Sequence, residues 1–512
     1  MQPIVEITDG TIKGTRIGRV NVFRGVRYGA DTGGANRFRP PQPVEKWTGV
    51  RNAVAPGRSA PQFDKPECHD PFFSWYCAIE PPGEDCLSLN LFAPEPGNGQ
   101  RPVMVWLHGG GWRDYSGTAP GFDATALADA EDIVVVSLNH RLGVFGFVRL
   151  DGADTRFADS GNAGILDIAA ALEWIRDNIG VFGGDSDNVT LFGESGGASK
   201  IAALLAAPRA KSLFHKAIMS SSGGGMTLAE PPEAEGVARS LAASLGVDRL
   251  DPKAMQALPM QVLLDATRKV SGSFRAMLDG RTFFTHPFDT KAPDLARDVP
   301  LMIGCTQTEA TYFMRHDERN FRLGMEDVRR RLARFFDVDQ VRTNHIVDTY
   351  CRAYPAEQPY VILCLAASDY MFKRNGYRMA ALQAASARAP VWAYHFEWIT
   401  PIEGGRMMSP HTAELPFVFG TTKAARGCVG DGPDLVPMTR MMMATWAAFA
   451  RTGNPNNTTL PQWLPYDGEA RHMMVLDIVP HSARDPGGVA RAALDDLPFY
   501  GYGHSIPALV TG

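Results

Sequence analysis

Cysteine is scarce in this chain, and neither sign of charge is in large excess. Seven cysteines among 512 residues are too few for a disulfide scaffold. Lysine and arginine together number 51 against 56 aspartates and glutamates, which gives a net charge of −5. A general basic surface for nucleic acid is therefore missing, and we expect no nucleic-acid partner.

Long apolar runs are missing as well. None reaches the roughly 18 residues that a membrane-spanning helix needs, so we predict no membrane span. The first ten residues lack the basic-then-apolar pattern of a signal peptide, and if Met1 is native we expect a cytoplasmic protein. The chain also lacks internal repeats and low-complexity tracts, which argues against solenoid and disordered architectures.

What the chain does contain is an alternation of buried-strand and helix patterns. Continuous apolar runs typical of strands buried on both faces occur at 102–107, 133–138, 189–192, 216–219, 300–303 and 391–396. Helical stretches separate them, as at 164–179, where apolar residues recur with helical spacing. This alternation predicts an α/β fold with a mainly parallel sheet and helices on both faces. Residues 4–28 alternate apolar and polar and predict an antiparallel β-meander.

Three stretches interrupt this alternation. Residues 226–298 and 317–385 are mostly helical by pattern, and residues 56–86 form a long irregular loop. We predict one domain over 1–512 in which these stretches are insertions that form a cap. The loop carries the aromatic cluster Phe72, Phe73, Trp75 and Tyr76. These rings could line a substrate pocket or form a local hydrophobic plug, and both interpretations stay open.

The segment 188–205 has the pattern of a strand, a tight turn and a helix. Its turn, Gly193-Glu194-Ser195-Gly196-Gly197, fits the motif G-x-S-x-G. Glycines let the backbone turn sharply, so Ser195 would stand exposed above the amino terminus of the helix. Because glycine is common here, with 51 residues, a Gly-rich turn without function is the alternative.

A serine hydroxyl needs a base to accept its proton and a third group to orient that base. In α/β sheets such groups follow the carboxyl ends of strands. Glu309 follows the predicted strand 300–303, and His411 follows the one at 391–396. The chain order Ser195, Glu309, His411 is that of one class of serine hydrolases, which predicts a catalytic triad.

A second glycine run, Gly109-Gly110-Gly111, follows the predicted strand 102–107. Three glycines let main-chain N–H groups approach a substrate oxygen closely, although a flexible turn would have the same composition. An HGGG-type run upstream of a G-x-S-x-G motif predicts the second half of an oxyanion hole.

Taken together, these motifs resemble those of the type-B carboxylesterases, the cholinesterase and para-nitrobenzyl-esterase-like branch of the α/β-hydrolases. The resemblance covers nearly the whole chain. It is carried by FRGVRY (23–28), EDCLSLN (84–90), WLHGGG (106–111), NHRLG (139–143), GNAGILD (161–167), FGGDSDNVTLFGESGG (182–197), the segment around His411 and TGNPN (452–456).

The resemblance implies an α/β-hydrolase fold with Ser195 as nucleophile, Glu309 as acid and His411 as base. It places the oxyanion-hole donors on the N–H groups of Gly110, Gly111 and Gly196, and it implies no metal or cofactor. Many relatives have alanine where this chain has Gly196, and the loop that follows residue 28 also departs from the usual pattern.

The resemblance also implies an amino-terminal disulfide between Cys68 and Cys86. Cys77 lies between these two residues and is an additional candidate for pairing. The remaining cysteines match no disulfide of the family, and we expect them to be free and buried. They are Cys305, Cys351, Cys364 and Cys428.

The predicted activity is that of a serine carboxylesterase acting on a small-molecule ester. Two alternatives stay open. The same site could cleave a carbamate, an amide or a lactone, or the chain could be a non-catalytic binding relative, although such relatives typically lose a triad residue and all three are present here.

Overall fold

The computed structural model describes residues 2–95, 100–150, 154–501 and 509. Its strands are β1 (Ile4–Ile7), β2 (Gly10–Lys13), β3 (Thr15–Ile17), β4 (Val20–Arg27), β5 (Val50–Asn52), β6 (Ser88–Pro94), β7 (Arg101–Leu107), β8 (Val134–Leu138), β9 (Gly184–Glu194), β10 (Lys216–Ser220), β11 (Leu301–Thr306), β12 (Val391–Phe396), β13 (His472–Leu476) and β14 (His481–Arg484).

The α-helices of the described residues lie between and after these strands. They are α1 (Thr125–Glu131), α2 (Gly143–Phe147), α3 (Ala163–Asn178), α4 (Gly196–Ala206), α5 (Pro231–Leu245), α6 (Pro252–Ala257), α7 (Met260–Ala266), α8 (Ala310–Met314), α9 (Met325–Phe336), α10 (Gln340–Ala353), α11 (Pro359–Ser368), α12 (Arg374–Ser386), α13 (Leu415–Phe419), α14 (Arg426–Val429), α15 (Leu435–Thr452) and α16 (Gly488–Arg491).

Eleven strands form one sheet in the order β14-β13-β12-β11-β10-β9-β7-β8-β6-β4-β3. The seven strands from β13 to β8 in this order pair in parallel, and the strands at both edges pair antiparallel. The predicted α/β class with a mainly parallel sheet is therefore confirmed. Because parallel strands end at the same edge, the segments after β7, β9, β11 and β12 come together there.

The amino-terminal residues form less of a meander than the alternation predicts. Strands β1 and β2 pair antiparallel in a separate three-stranded sheet with β5, whereas β3 and β4 pair antiparallel within the main sheet. Gly14 lies at the division, where a Cβ would be 2.5 Å from the carbonyl oxygen of Val22. The chain thus changes sheets at a close approach of two backbones, which period-two alternation does not encode.

Burial on both faces explains the continuous apolar runs. Along β7, Val103, Val105 and Leu107 pack into one hydrophobic cluster, while Met104 and Trp106 pack into the cluster on the opposite face. All five side chains are buried. A strand between two helical layers needs apolar residues at every position, so the run is uninterrupted.

The predicted disulfide between Cys68 and Cys86 is wrong, because Cys68 is joined to Cys77. Cys86 is a free, fully buried thiol. It belongs to the hydrophobic cluster on one face of the sheet, whereas Cys77 belongs to the cluster on the other face and Cys68 packs against that same cluster. The nearer cysteine, nine residues away, also closes a shorter loop than Cys86 would. The other four cysteines are free as predicted, three of them buried and Cys351 partly exposed.

A buried ion pair explains two of the motifs that carry the family resemblance. Arg141 donates from Nε to Asp167 Oδ2 at 2.8 Å and from Nη2 to Oδ1 at 2.5 Å, and its main-chain N–H donates to Oδ2 at 3.0 Å. The two side chains are 1 % and 0 % exposed. The pair fixes the segment after β8 to helix α3, so these motif residues have a structural role.

No helix in the described part of the chain has the length and apolar character needed to cross a membrane.

Replacing Asp167 with asparagine should destabilise the fold strongly. The change leaves the Arg141 guanidinium buried without its counter-charge, which costs about 3–5 kcal/mol when one partner of a buried pair is removed. The free energy of unfolding, measured by urea denaturation, checks this. Glu173→Gln is the matched control, since Glu173 lies on the same helix and pairs with Arg209 at the surface. An equal loss in both variants would contradict the prediction.

Candidate active site

Ser195 occupies a strained turn between β9 and α4. Its backbone has φ 55° and ψ −120°, a region that residues with side chains rarely adopt. The turn is held by a hydrogen bond from the Ser195 N–H to the Ser220 carbonyl oxygen at 2.9 Å. Gly193 and Gly197 flank it because there is no room for a side chain. A Cβ on Gly193 would lie 2.9 Å from the Leu107 carbonyl oxygen, and one on Gly197 would overlap that same oxygen.

Glu309 and His411 come together at the carboxyl ends of the parallel strands. The Glu309 Oε2 atom lies 2.5 Å from Nδ1 of His411. The other oxygen of Glu309 accepts from the Ser221 hydroxyl at 2.6 Å and from the Thr306 N–H at 2.8 Å. Glu309 is fully buried and His411 is 4 % exposed. A carboxylate fixed by three donors can orient the imidazole and stabilise its positive charge.

The outer nitrogen of His411 faces another carboxylate. Its Nε2 lies 2.9 Å from Oε1 of Glu194, the buried residue directly before Ser195. Ser195 is partly exposed and lines the same cavity as His411, but within the described residues the two side chains make no hydrogen bond. The three predicted triad residues are therefore gathered in one site, with the base paired to Glu309 and Glu194.

The charges around His411 shift its pKa and that of a neighbouring acid. Burial lowers the pKa of His411, but the carboxylates of Glu194 and Glu309 more than offset this, and the net pKa is well above 6.5. Burial and the same two carboxylates raise the pKa of Glu414 well above its usual 4.5. Glu414 is fully buried, and neither of its carboxyl oxygens has a hydrogen-bond partner in the described residues.

The glycine run after β7 lies directly against the nucleophile turn. Gly110 has φ 83° and Gly111 has φ 61°, and a Cβ on Gly196 would overlap the carbonyl oxygen of Gly111. Within the described residues, neither Gly110 nor Gly111 uses its N–H group in a hydrogen bond. Gly196 opens α4, and the first N–H groups of a helix have no partner inside it. The three glycines predicted as oxyanion donors therefore lie where the loop meets the turn at Ser195.

Tyr76 links the long amino-terminal loop to this site. Its hydroxyl donates to Oε2 of Glu194 at 2.8 Å and accepts from the Gly109 N–H at 3.0 Å. Of the four aromatic residues in that loop, Phe73 and Tyr76 line the cavity, while Phe72 and Trp75 are buried in the core without lining it. The two interpretations of the aromatic cluster therefore each hold for half of it.

A cavity of about 590 Å³ opens onto Ser195 and His411. It contains the candidate oxyanion residues Gly110 and Gly111, and its wall is rich in aromatic rings. These rings are Phe73, Tyr76, Trp112, Tyr115, Tyr312, Phe313, Phe372 and Tyr500. The Phe372 ring centroid lies 4.7 Å from that of His411. Phe372 belongs to a π-helical turn, Asp369–Lys373, between α11 and α12, and such turns are frequent at functional sites.

The sequence analysis did not predict Glu194 and Glu414 as members of the site, nor the hydrogen bond between Tyr76 and Glu194. Glu194 occupies the variable position of the G-x-S-x-G motif, and Glu414 lies three residues after His411. Because both glutamates lie close in sequence to predicted site residues, they could have been predicted as members of the site. The contact of Tyr76 with Glu194 spans 118 residues, and no local sequence pattern indicates it. Among the described residues, no three His, Cys, Asp or Glu side chains are grouped so as to hold a metal ion.

Comparison with known proteins agrees with this geometry. Residues 1–488 match the sequence model of the Carboxylesterase family. The para-nitrobenzyl esterase of Bacillus subtilis (strain 168) is 34% identical over 504 residues, which cover 96% of this chain and 98% of that protein. The phenmedipham hydrolase of Pseudarthrobacter oxydans is 33% identical over 491 residues, covering 93% and 95% of the two chains.

Solved structures with the same fold are also found. A thermophilic PNB esterase superposes with a TM-score of 0.83 at 32% identity, covering 96% of this chain and 100% of that one. A carboxylesterase from Geobacillus stearothermophilus superposes with a TM-score of 0.82 at 33% identity, covering 96% and 99%. The family match extends over most of the chain, and the order of the strands in the sheet agrees with it. The chain therefore belongs to the carboxylesterase family, has the α/β-hydrolase fold and is a hydrolase of carboxylic esters.

Proposed function

We propose that Ser195, His411 and Glu309 form the catalytic triad of this esterase and that the reaction passes through an acyl-enzyme. The observation that carries the proposal is the 2.5 Å contact between Glu309 and His411 in the cavity that also holds the strained Ser195. Glu309 holds the imidazole with Nδ1 toward itself, which leaves Nε2 for proton transfer.

In the first step the Ser195 oxygen attacks the ester carbonyl carbon while Nε2 of His411 takes the hydroxyl proton. Since Nε2 lies 2.9 Å from Glu194 in the free protein, this step requires the serine hydroxyl to approach Nε2 as substrate binds. The tetrahedral oxyanion is stabilised by the N–H groups of Gly110, Gly111 and Gly196. His411 then protonates the leaving alcohol, and water releases the acid by the same steps in reverse.

The cap and the substrate class are part of the same proposal. Residues from all three interruptions line the cavity, as Phe73 does for 56–86, Ser273 for 226–298 and Phe372 for 317–385. This supports a single domain over 1–512 in which the three insertions close over the nucleophile. The aromatic wall favours small esters with an apolar or aromatic acyl or alcohol group, because rings bury apolar surface well.

Ser195→Ala should abolish turnover of a p-nitrophenyl ester and labelling by a fluorophosphonate, because alanine has no hydroxyl group to attack either reagent. Circular dichroism and the unfolding midpoint should stay near those of the wild type. Turnover retained by the variant would refute the triad. An amide analogue of the same acyl group, assayed in parallel, separates esterase from amidase activity, and faster cleavage of the amide would overturn the ester assignment.

Glu194→Gln should move the acidic limb of the kcat/KM profile to lower pH. His411 acts as a base only when it is neutral, so activity rises as pH increases through its raised pKa. Removing the Glu194 charge withdraws stabilisation from the imidazolium, and the pKa of His411 falls. Asp495→Asn, a carboxyl change remote from the cavity, is the control. A limb that stays in place, or that moves to higher pH, would contradict the assignment of His411 as base.

Gly110→Ala should lower kcat by about 10²–10³-fold, as loss of one oxyanion donor does. Gly110 has φ 83°, and the new methyl group would overlap the carbonyl oxygen of Asp114, so the loop and its N–H donors must move. Gly180→Ala is the matched control, since a Cβ there meets nothing within 4 Å. Steady-state kinetics on a p-nitrophenyl ester measure the effect, and a wild-type kcat in Gly110→Ala would count against the proposed oxyanion hole.

A further inference from the structure

Lys200 is a fully buried lysine on α4, five residues after Ser195. Its side chain is 0 % exposed, and its Nζ donates a hydrogen bond to the carbonyl oxygen of His108 at 3.1 Å. Nothing in the proposed chemistry uses this residue. Burying an ammonium group costs several kcal/mol unless other groups compensate it, so its presence here calls for a role.

The groups that face Lys200 come from three segments, namely the loop after β7, the residues after β8 and the end of β9. Asp114 and Glu194 are negative and raise its pKa, but burial outweighs them and the pKa falls to about 7. His108 and His140 are fully buried imidazoles whose pKa values lie well below 6.5, first because of burial and then because of Lys200. The Nζ of Lys200 can donate to His108 in either protonation state.

The carbonyl group that Lys200 binds stands at the start of the oxyanion loop. His108 is the residue directly before Gly109-Gly110-Gly111. Gly197, three residues before Lys200 on α4, packs so that a Cβ would lie 3.0 Å from the same carbonyl oxygen. The hydrogen bond of Lys200 therefore joins the helix that carries Ser195 and Gly196 to the loop that carries the other two N–H donors.

We propose that Lys200 is a positioning residue for the oxyanion hole, which holds the 109–111 loop against helix α4 so that the N–H groups of Gly110, Gly111 and Gly196 converge on one oxygen. The inference rests on the proposed function of these donors. The glycines of the loop meet the helix through backbone contacts alone, as Gly111 does at Gly196, because they have no side chains to pack. A directed hydrogen bond at the first residue of the loop therefore helps to set its position. These N–H groups must point to one oxygen in the transition state, where the oxyanion develops, and their position matters much less for binding of the ester.

Lys200→Met tests the proposal, because methionine keeps the length and removes both the donor and the charge. We expect kcat on p-nitrophenyl butyrate to fall roughly tenfold to a hundredfold, less than for outright loss of a donor, with KM changed by less than about threefold. The affinity for a trifluoromethyl ketone, which Ser195 converts to a tetrahedral oxyanion, should fall by the same factor as kcat/KM. Lys200→Gln should recover part of both losses, since its amide N–H can donate to His108.

Lys216→Met is the matched control. Lys216 is a lysine on β10 that is also largely buried, at 8 % exposed, with its Nζ against Asn188 and away from the cavity. Its variant measures what loss of a buried lysine does to stability, and kcat should be unchanged. If Lys200→Met is too unstable to assay, Lys200→Gln is compared with the wild type. Its kcat and its affinity for the ketone should then both fall, by smaller factors than those expected for Lys200→Met.

Unchanged ketone affinity in both Lys200 variants would overturn the proposal, as would a rise in KM with an unchanged kcat. A wild-type protein that neither hydrolyses the ester nor reacts with a fluorophosphonate would instead refute the proposed function. The two failures are therefore distinguishable within one set of measurements.

Discussion

The close approach of two backbones is the constraint on which the site depends. The turn at Ser195 lies so near to the end of β7 and the loop after it that side chains are excluded at Gly193, Gly196 and Gly197. The serine itself is held at φ 55°, and the surrounding packing stabilises this unfavourable conformation. The same proximity brings N–H donors from two separate segments to one place. The proposed nucleophile and the proposed oxyanion hole therefore depend on one packing arrangement.

A second layer of the site is electrostatic. Three buried carboxyl groups, Glu194, Glu309 and Glu414, lie around His411. Burial and the charges of Glu194 and Glu309 raise the pKa of Glu414. Glu194 and Glu309 also favour the imidazolium form of His411, which helps the proposed step in which His411 accepts a proton and opposes the resting neutral form. The site thus stabilises the positive charge that His411 gains during the proposed reaction. The same effect lowers the fraction of His411 that is neutral, and so able to act as a base, at low pH.

Local pattern was enough to predict the strands, the turn at Ser195 and the segments that carry Glu309 and His411, because each leaves a mark within a few residues. Contacts that join distant segments left none. The hydroxyl of Tyr76 reaches Glu194 across 118 residues, and period and spacing carry no information on such a pair. The disulfide prediction, which the family resemblance implied, was wrong because the sequence does not show how the two faces of the sheet are packed. Cys86 belongs to the hydrophobic cluster on one face, whereas Cys68 and Cys77 lie at the cluster on the other face and are joined there.

Two residues on the first turns of α4 act on the same loop from different sides. Gly196 lets the loop approach because it has no Cβ, and Lys200 holds the loop there through the His108 carbonyl group. A Cβ at position 196 would overlap the backbone of Gly111 as the loop now lies. Loss of Lys200 would remove the hydrogen bond to the His108 carbonyl oxygen at the start of the same loop. Residues that share one partner in this way are energetically coupled, so their contributions to the oxyanion hole do not add. The proposed roles of Ser195, Gly196 and Lys200 therefore all depend on how helix α4 packs against this loop.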